Sequence, residues 1–317
     1  MGPCPRPREC LSIPQCQEFS RNFSGAGQGL GPGHEILLAS GGPADYNGVM
    51  NLGTLGCGKM GTTLIGGAIR AGIVTADQVI GCDPVAAARE SFTQLTAART
   101  TSSAAEMANA CEVIFLCTLP PHAAEALRAA AHAAAGQPRL VISIAAGITL
   151  AALEAACPEN FRVIRAMPNT PALVGKGAAG YCLGTRATPA DAATAQMLLE
   201  AVGLAIEMPE RFMNLVTGLS GSGPAYVYVV IEALADGGVL AGLTRAVALR
   251  LAAQTVLGAA AMVLETNEHP AVLKDKVTSP GGTTIAGLAE LERLGLRSAL
   301  IAAVSAASRR AEELGHQ

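Results

Sequence analysis

The chain has no tryptophan, and only ten other aromatic residues and four lysines among its 317 positions. With a formal charge of −3, it lacks the basic, aromatic-studded face that nucleic-acid binding requires. No run of eighteen apolar residues is free of charges and turn breakers. The most apolar segment, residues 224–240, is interrupted by Glu232, Asp236 and the Gly237-Gly238 pair, which predicts a buried helix rather than a membrane span. The nine cysteines form no CxxC pair and the five histidines are scattered, so no metal site is predicted. Cys57, Cys82, Cys111, Cys117, Cys157 and Cys182 lie in or near apolar runs. There they read as small hydrophobes, in keeping with a reducing cytoplasm.

What is abundant is core material: half the residues are hydrophobic and 15% are charged, enough to build two domains. Residues 1–49 stand apart. They are rich in Gly, Pro and Ser, show no periodicity, and place Cys4, Cys10 and Cys16 at even spacing without a fourth ligand. They read as a disordered leader, since no apolar stretch forms a secretory signal and acids balance the arginines. Met50 is a candidate natural start. From Met50 to about Phe212, strand and helix alternate: strands over 51–56, 78–82, 112–118 and 139–144, helices over 59–71 and 122–135. That alternation predicts an α/β domain with a Rossmann-like doubly wound sheet. After Phe212 only helical patterns remain, over 222–240, 244–266 and 296–314, and their apolar breadth predicts an all-helical dimerisation domain over 213–317 that buries faces against another subunit.

The run Gly56-Cys57-Gly58-Lys59-Met60-Gly61 is a GxGxxG placed where the first strand turns into the first helix. The first glycine permits the turn, the second lets a pyrophosphate approach the backbone, and the third lets helix and strand pack closely. The unpaired amides of the helix N-terminus then favour a dinucleotide phosphate. Asp83 ends the second strand, at the distance where an acid meets the adenosine ribose 2′-hydroxyl, and so favours NADH over NADPH. An equal reading makes Asp83 a cap for the helix after Pro84. Near the C-terminus, Ser279-Pro280-Gly281-Gly282-Thr283-Thr284 opens a further helix. Its clustered amides and three hydroxyls can hold a small carboxylate without a cation, although a plain helix–helix turn with a Thr cap uses the same residues.

The segment TSPGGTTIAGLAELERLGLRSALIAAV resembles the C-terminal signature of pyrroline-5-carboxylate reductases. The Gly56 loop, SIAAGIT (143–149), RAMPNTP (165–171), GLSGSGPAY (218–226) and HPAVLKDKV (269–277) are similar to the same family in the same order, from about Met50 to Leu314. The resemblance implies an NAD(P)H-dependent reduction of 1-pyrroline-5-carboxylate to L-proline, the last step of proline biosynthesis. It also implies a homodimer through the helical domain, extending to a larger ring of dimers, with no nucleic-acid or membrane partner. By position it implies cofactor contacts from Leu55, Gly56, Cys57, Gly58, Lys59, Met60, Asp83, Cys117, Thr118, Leu119, Pro120, Ala145, Ala146 and Gly147. Ser279, Gly281, Gly282, Thr283 and Thr284 hold the substrate, with Thr284 as partner of the ring nitrogen.

Asn169, in the Pro-Asn-Thr-Pro turn, is either a support of the nicotinamide pocket or a turn residue bonding its own backbone. Three positions depart from the family pattern: Leu119 replaces a usual Lys, Asp83 a small residue, and Asn267 a Glu that contacts substrate in some members. Two alternatives remain. A β-hydroxyacid dehydrogenase needs a helical-domain Lys, but no Lys follows the glycines of 218–223 until Lys274 and Lys276. A silent NAD(P)H-binding paralogue would be free to lose the 279–284 turn, which is intact.

Overall fold

The computed structural model describes residues 50–134 and 136–315. The expectation of a disordered leader over 1–49 lies outside them, as does Ala135 at the end of the helix expected over 122–135. Twenty elements carry the fold. In the first half these are β1 (Leu52–Leu55), α1 (Lys59–Arg70), β2 (Val79–Cys82), α2 (Ala86–Thr96), β3 (Arg99–Thr101), α3 (Ala104–Ala110), β4 (Val113–Leu116), α4 (Pro120–Ala133), β5 (Arg139–Ser143) and α5 (Leu150–Ala155). Then come β6 (Phe161–Met167), β7 (Gly177–Leu183), α6 (Pro189–Glu200) and β8 (Gly203–Glu207). Helices α7 (Met213–Val216), α8 (Gly223–Leu240), α9 (Arg245–Thr266), α10 (Pro270–Lys276), α11 (Thr283–Arg293) and α12 (Leu296–Gly315) complete the chain.

The eight strands form one sheet in the order β3-β2-β1-β4-β5-β6-β7-β8. The first six follow the doubly wound order expected of a dinucleotide-binding sheet. Within each central strand, successive side chains enter opposite cores. Val113 and Phe115 join the cluster with Leu64, Ile65 and Leu198, whereas Ile114 and Leu116 join the one with Met107 and Leu127. A strand buried on both faces reads as a continuous apolar run, which is why the EVIFLCT and RLVISI segments are legible in the sequence. Strands β3, β6, β7 and β8 were not expected there. Strand β7 pairs antiparallel with β6 and parallel with β8, so the sheet is not wholly parallel. Gly177, Ala178, Ala179 and Gly180 give β7 no β-branched signal.

One expectation about the helices needs correction. Helix α8 is not buried in the single chain: of its residues only Ala235 is buried, and Tyr228, Val229 and Leu240 are 59%, 64% and 92% exposed. It packs against α9 through a small alanine cluster, Ala235, Ala248 and Ala252, with Ile231 and Val239 partly buried against it. By length and composition alone, the helical stretches Glu210–Leu240 and Arg245–Thr266 could each cross a membrane.

A buried carboxylate fastens α6 to the sheet. Asp191 accepts hydrogen bonds from the Thr188 amide at 2.8 Å, the Thr188 hydroxyl at 2.7 Å and Arg162 Nε at 2.8 Å. The Thr188 side chain in turn accepts the Asp191 amide, completing a capping box. Burial raises the Asp191 pKa, but the hydrogen bonds of Arg162 and Thr188 outweigh it and hold the carboxyl below its ordinary value. Because the folded value is depressed, its stabilising contribution is present above the unfolded value of about 4 and is lost as pH falls through the folded value. Asp191→Asn should therefore cost about 2 kcal/mol at neutral pH. The gap in melting temperature from the parent protein should stay constant down to about pH 4 and narrow below it, as followed by thermal melts across pH.

Candidate active site

Sheet register brings the segments of interest together. Leu55 lies opposite both Cys82 and Leu116, and Leu116 opposite Ser143, so these strands end in one row. Gly56–Gly61, Asp83, Cys117–Pro120 and Ala145–Gly147 follow directly, at the edge where chain order reverses between β1 and β4. That crevice is where open α/β sheets bind ligands.

The three glycines of the loop do different things. Gly56 turns at φ +104°, and a Cβ there would come within 2.7 Å of the Cys117 carbonyl oxygen. A Cβ on Gly61 would come within 2.2 Å of the Gly56 carbonyl oxygen. The Thr54 hydroxyl, fully buried, donates to that same carbonyl at 3.1 Å and fixes the turn. Gly58 is different: a Cβ there would meet nothing within 4 Å. The fold thus explains the first and third glycines, and leaves the second to whatever approaches from outside. Gly58 also precedes α1 with no side chain capping the helix, so the first-turn amides are open to an anion. Lys59 is exposed at this end, Met60 half-buried and Leu55 buried beneath the loop. These residues fit a dinucleotide pyrophosphate.

Asp83 serves the loop directly. Its Oδ2 accepts the Cys57 amide at 2.9 Å and its Oδ1 the Val85 amide at 2.9 Å. Arg89 donates to the Asp83 and Pro84 carbonyls at 2.7 and 3.0 Å. Helix α2 begins at Ala86 with Val85 as its N-cap, so Asp83 closes the turn ahead of the helix instead of capping it. The buried Cys57 thiol is pushed up to about 12, first by desolvation and then by the Asp83 charge. It stays protonated and supplies no nucleophile.

Beside it, the Thr118 hydroxyl is buried without a protein partner. Leu119 is 71% exposed, and Pro120 starts α4. Ala145 is buried and its amide donates to the Ser143 hydroxyl at 3.3 Å, Ala146 is exposed, and Gly147 turns at φ +78°.

Asn169 does more than either expected role. Its Oδ1 accepts the Ala178 amide at 2.9 Å and its Nδ2 donates to the Ser220 carbonyl at 2.9 Å. The amide therefore ties β7 to the π-helical turn Thr217–Gly221 rather than holding its own turn. Sequence reasoning missed this turn, although a π-helical insertion often marks a functional site. Its only sequence trace is the glycine spacing of GLSGSG.

The 279–284 turn is built from backbone. The Gly282 amide donates to the Ser279 carbonyl at 3.1 Å, and Gly281 lies at φ +68°. Helix α11 begins at Thr283 after Gly282 with no side-chain cap, so Thr284 is its second residue and does not cap it. Ser279, Gly281 and Thr283 are exposed, while Gly282 and Thr284 are half-buried. Among the described residues, no hydrogen bond joins this turn to the strand-bearing part of the chain. The structure groups the expected cofactor residues, then, but does not bond the expected substrate residues to them within one chain. Asn267, at φ +54°, ends α9 in a left-handed conformation that a short amide side chain tolerates, which accounts for its place there.

A glycine-rich strand-to-helix loop at the switch point of this sheet, followed by a helical region, defines a dinucleotide-binding protein. Residues 51–147 match a family model described as "NADP oxidoreductase coenzyme F420-dependent", and residues 210–314 one described as "Pyrroline-5-carboxylate reductase dimerisation". A pyrroline-5-carboxylate reductase of Synechocystis is 47% identical over 84% of this chain and 98% of its own. One from Arabidopsis thaliana is 43% identical over 83% and 95%. Two solved structures align over 84% of the chain. A pyrroline-5-carboxylate reductase from Coxiella burnetii has TM-score 0.80, 33% identity and 99% of its own length covered. A Plasmodium falciparum pyrroline carboxylate reductase with NADP bound has TM-score 0.75, 32% identity and 98% covered. The chain belongs to the pyrroline-5-carboxylate reductase family.

The contrast between glycines is testable. Gly58→Ala should melt within about 0.5 kcal/mol of the parent protein, yet bind NADPH about tenfold more weakly, because only a ligand would meet the new methyl. Gly61→Ala should cost about 1–3 kcal/mol of stability through its clash with the Gly56 carbonyl. Calorimetry and cofactor titration on the two variants separate these effects.

Proposed function

We propose that the protein reduces 1-pyrroline-5-carboxylate to L-proline with NADPH or NADH, the last step of proline synthesis, in the reducing cytoplasm. Residues 50–212 act as the cofactor domain and residues 213–317 as the dimerisation and substrate domain. The observation that carries the reading is the 279–284 turn, with the exposed Ser279 and Thr283 and no side chain capping the first amides of α11. Among the described residues the turn makes no hydrogen bond to the sheet, in keeping with a homodimer in which it serves the neighbouring cofactor domain. The exposed apolar faces of α8 and α9, within the region matched by the dimerisation model, support the same arrangement.

The bound nicotinamide supplies the hydride that adds to the imine carbon. What remains is positioning. Amides of Gly281, Thr283 and Thr284 and the Ser279 hydroxyl hold the substrate carboxylate. The Thr284 hydroxyl hydrogen-bonds the ring nitrogen, directly or through water, as that nitrogen gains its proton. Asn169 holds the π-helical turn beside the pocket. Holding the imine and the dihydronicotinamide together supplies much of the acceleration. No strong base or thiolate is required, in keeping with the protonated Cys57.

Turnover of 1-pyrroline-5-carboxylate by Thr284→Val and Thr284→Ala tests the assignment. A hydrogen bond that strengthens as the amine forms lowers turnover more than affinity, so single-turnover hydride transfer should slow about ten- to a hundredfold. NADPH affinity should be unchanged. A parental transfer rate would retire the hydroxyl from the chemistry and leave the backbone turn as the site.

Cofactor preference should respond to Asp83→Ser. The carboxylate stands at the end of β2, where a 2′-phosphate would otherwise lie. Removing its charge is worth on the order of 1–2 kcal/mol, so the ratio of kcat/KM for NADPH over NADH should rise about tenfold. Serine retains an acceptor for one of the two amides now bonded, which limits the loss of loop order. An unchanged ratio would confine Asp83 to the turn.

A further inference from the structure

The loop between β5 and α5 carries Ala145–Gly147 and is held at its far end by a side chain from outside the sheet. The Leu150 amide, first in α5, donates to Glu210 Oε1 at 2.7 Å. The same oxygen takes Arg165 Nη1 at 3.0 Å, and Arg165 Nη2 lies 3.4 Å from Asn214 Oδ1. The Arg165 side chain is 7% exposed, in β6 opposite Ser143, the last residue of β5. Its charge is therefore fixed next to the point where the loop leaves the sheet. Glu210 lies beyond β8 and is the first residue matched by the dimerisation model. Among the described residues, the Leu150–Glu210 bond is the one hydrogen bond joining this loop to the region after β8. The end of α12 also lies beside the loop: a Cβ on Gly147 would stand 3.6 Å from the Gly315 nitrogen, at ordinary contact distance.

We propose that Glu210 is a positioning residue for the reaction: shared between the Leu150 amide and the Arg165 guanidinium, its carboxylate fixes the 145–149 loop against the start of the helical region and thereby sets affinity for the nicotinamide cofactor. This rests on the reading that Ala145–Gly147 border the cofactor. The chemistry favours a carboxylate here. One oxygen must accept both an open helix N-terminal amide and a buried cation, and a negative charge suits each of them. Losing the side chain frees the amide and strands Arg165 with Asn214 alone.

Glu210→Ala and Glu210→Gln test this, with NADPH affinity measured by titration without substrate, amide exchange at 145–150, and melting temperature. The Ala variant should bind NADPH about tenfold more weakly and exchange faster across the loop, with KM for the cofactor raised and kcat at saturating cofactor within about threefold. Gln keeps an acceptor for Leu150 but gives Arg165 no charge. It should restore NADPH affinity to within about threefold while its melting temperature stays lowered. If the Ala variant does not fold, Glu210→Asp, which keeps the charge but shortens the reach, should weaken NADPH binding and loosen the loop in the same sense. Lowered melting temperatures with parental NADPH affinity in every folded variant would overturn the proposal and leave Glu210 purely structural. Ala146→Asp separates the underlying reading: parental NADPH affinity there would remove the loop from the cofactor site and the inference with it. A loss there, beside normal binding in the Glu210 variants, would overturn the inference alone.

Discussion

Gly56 turns its backbone directly against the Cys117 carbonyl, and the rest of the site depends on how close those two strand ends can come. Any side chain at position 56 would push β1 away from β4, and the row formed by Leu55, Cys82, Leu116 and Ser143 would lose its alignment. The neighbouring contacts reinforce the approach. Thr54 holds the Gly56 carbonyl from below, Gly61 brings α1 onto it, and Asp83 draws the Cys57 amide toward the end of β2. These contacts fix the loop ahead of α1, whose first-turn amides have no side-chain cap, which is what an anion-binding crevice requires. Asp83 thus orders the loop through the Cys57 and Val85 amides, and the proposed ribose contact would add a second use for the same carboxylate.

The helical half works by a different logic. The buried centre of its α8–α9 contact is made by small residues, Ala235, Ala248 and Ala252, flanked by Ile231 and Val239, so many larger apolar side chains such as Tyr228, Val229 and Leu240 stay exposed. The 279–284 turn likewise carries no side-chain cap on the helix it opens.

What the sequence revealed follows the same physics. The GxGxxG loop, the two-sided strands β1, β4 and β5, and the long C-terminal helices were legible, because glycine spacing and apolar runs report backbone geometry and burial. Strands β7 and β8 were not, since GAAGYCL is poor in β-branched residues and β8 is an edge strand with Leu204 and Ile206 half exposed. Apolar content suggested that α8 is buried, but apolarity does not say against what. Asn169 looked like a local turn residue because its partners, Ala178 and Ser220, lie 9 and 51 positions away. The link from Glu210 to Leu150, 60 positions apart, left no trace at all in the sequence.

The unusual residue within the cofactor loop is Cys57, in the variable position after the first glycine. Cysteines beside phosphate-binding amides invite oxidation, because a helix N-terminus normally favours the thiolate. Here the side chain points inward, 3% exposed, and Asp83 adds a negative charge next to it. Burial and that charge push the thiol up to about 12, so the thiolate is scarce at neutral pH. Peroxide and electrophiles, which react with that form, find almost none of it. The loop can therefore use a cysteine as a small packing group without making the enzyme a sensor of oxidative stress.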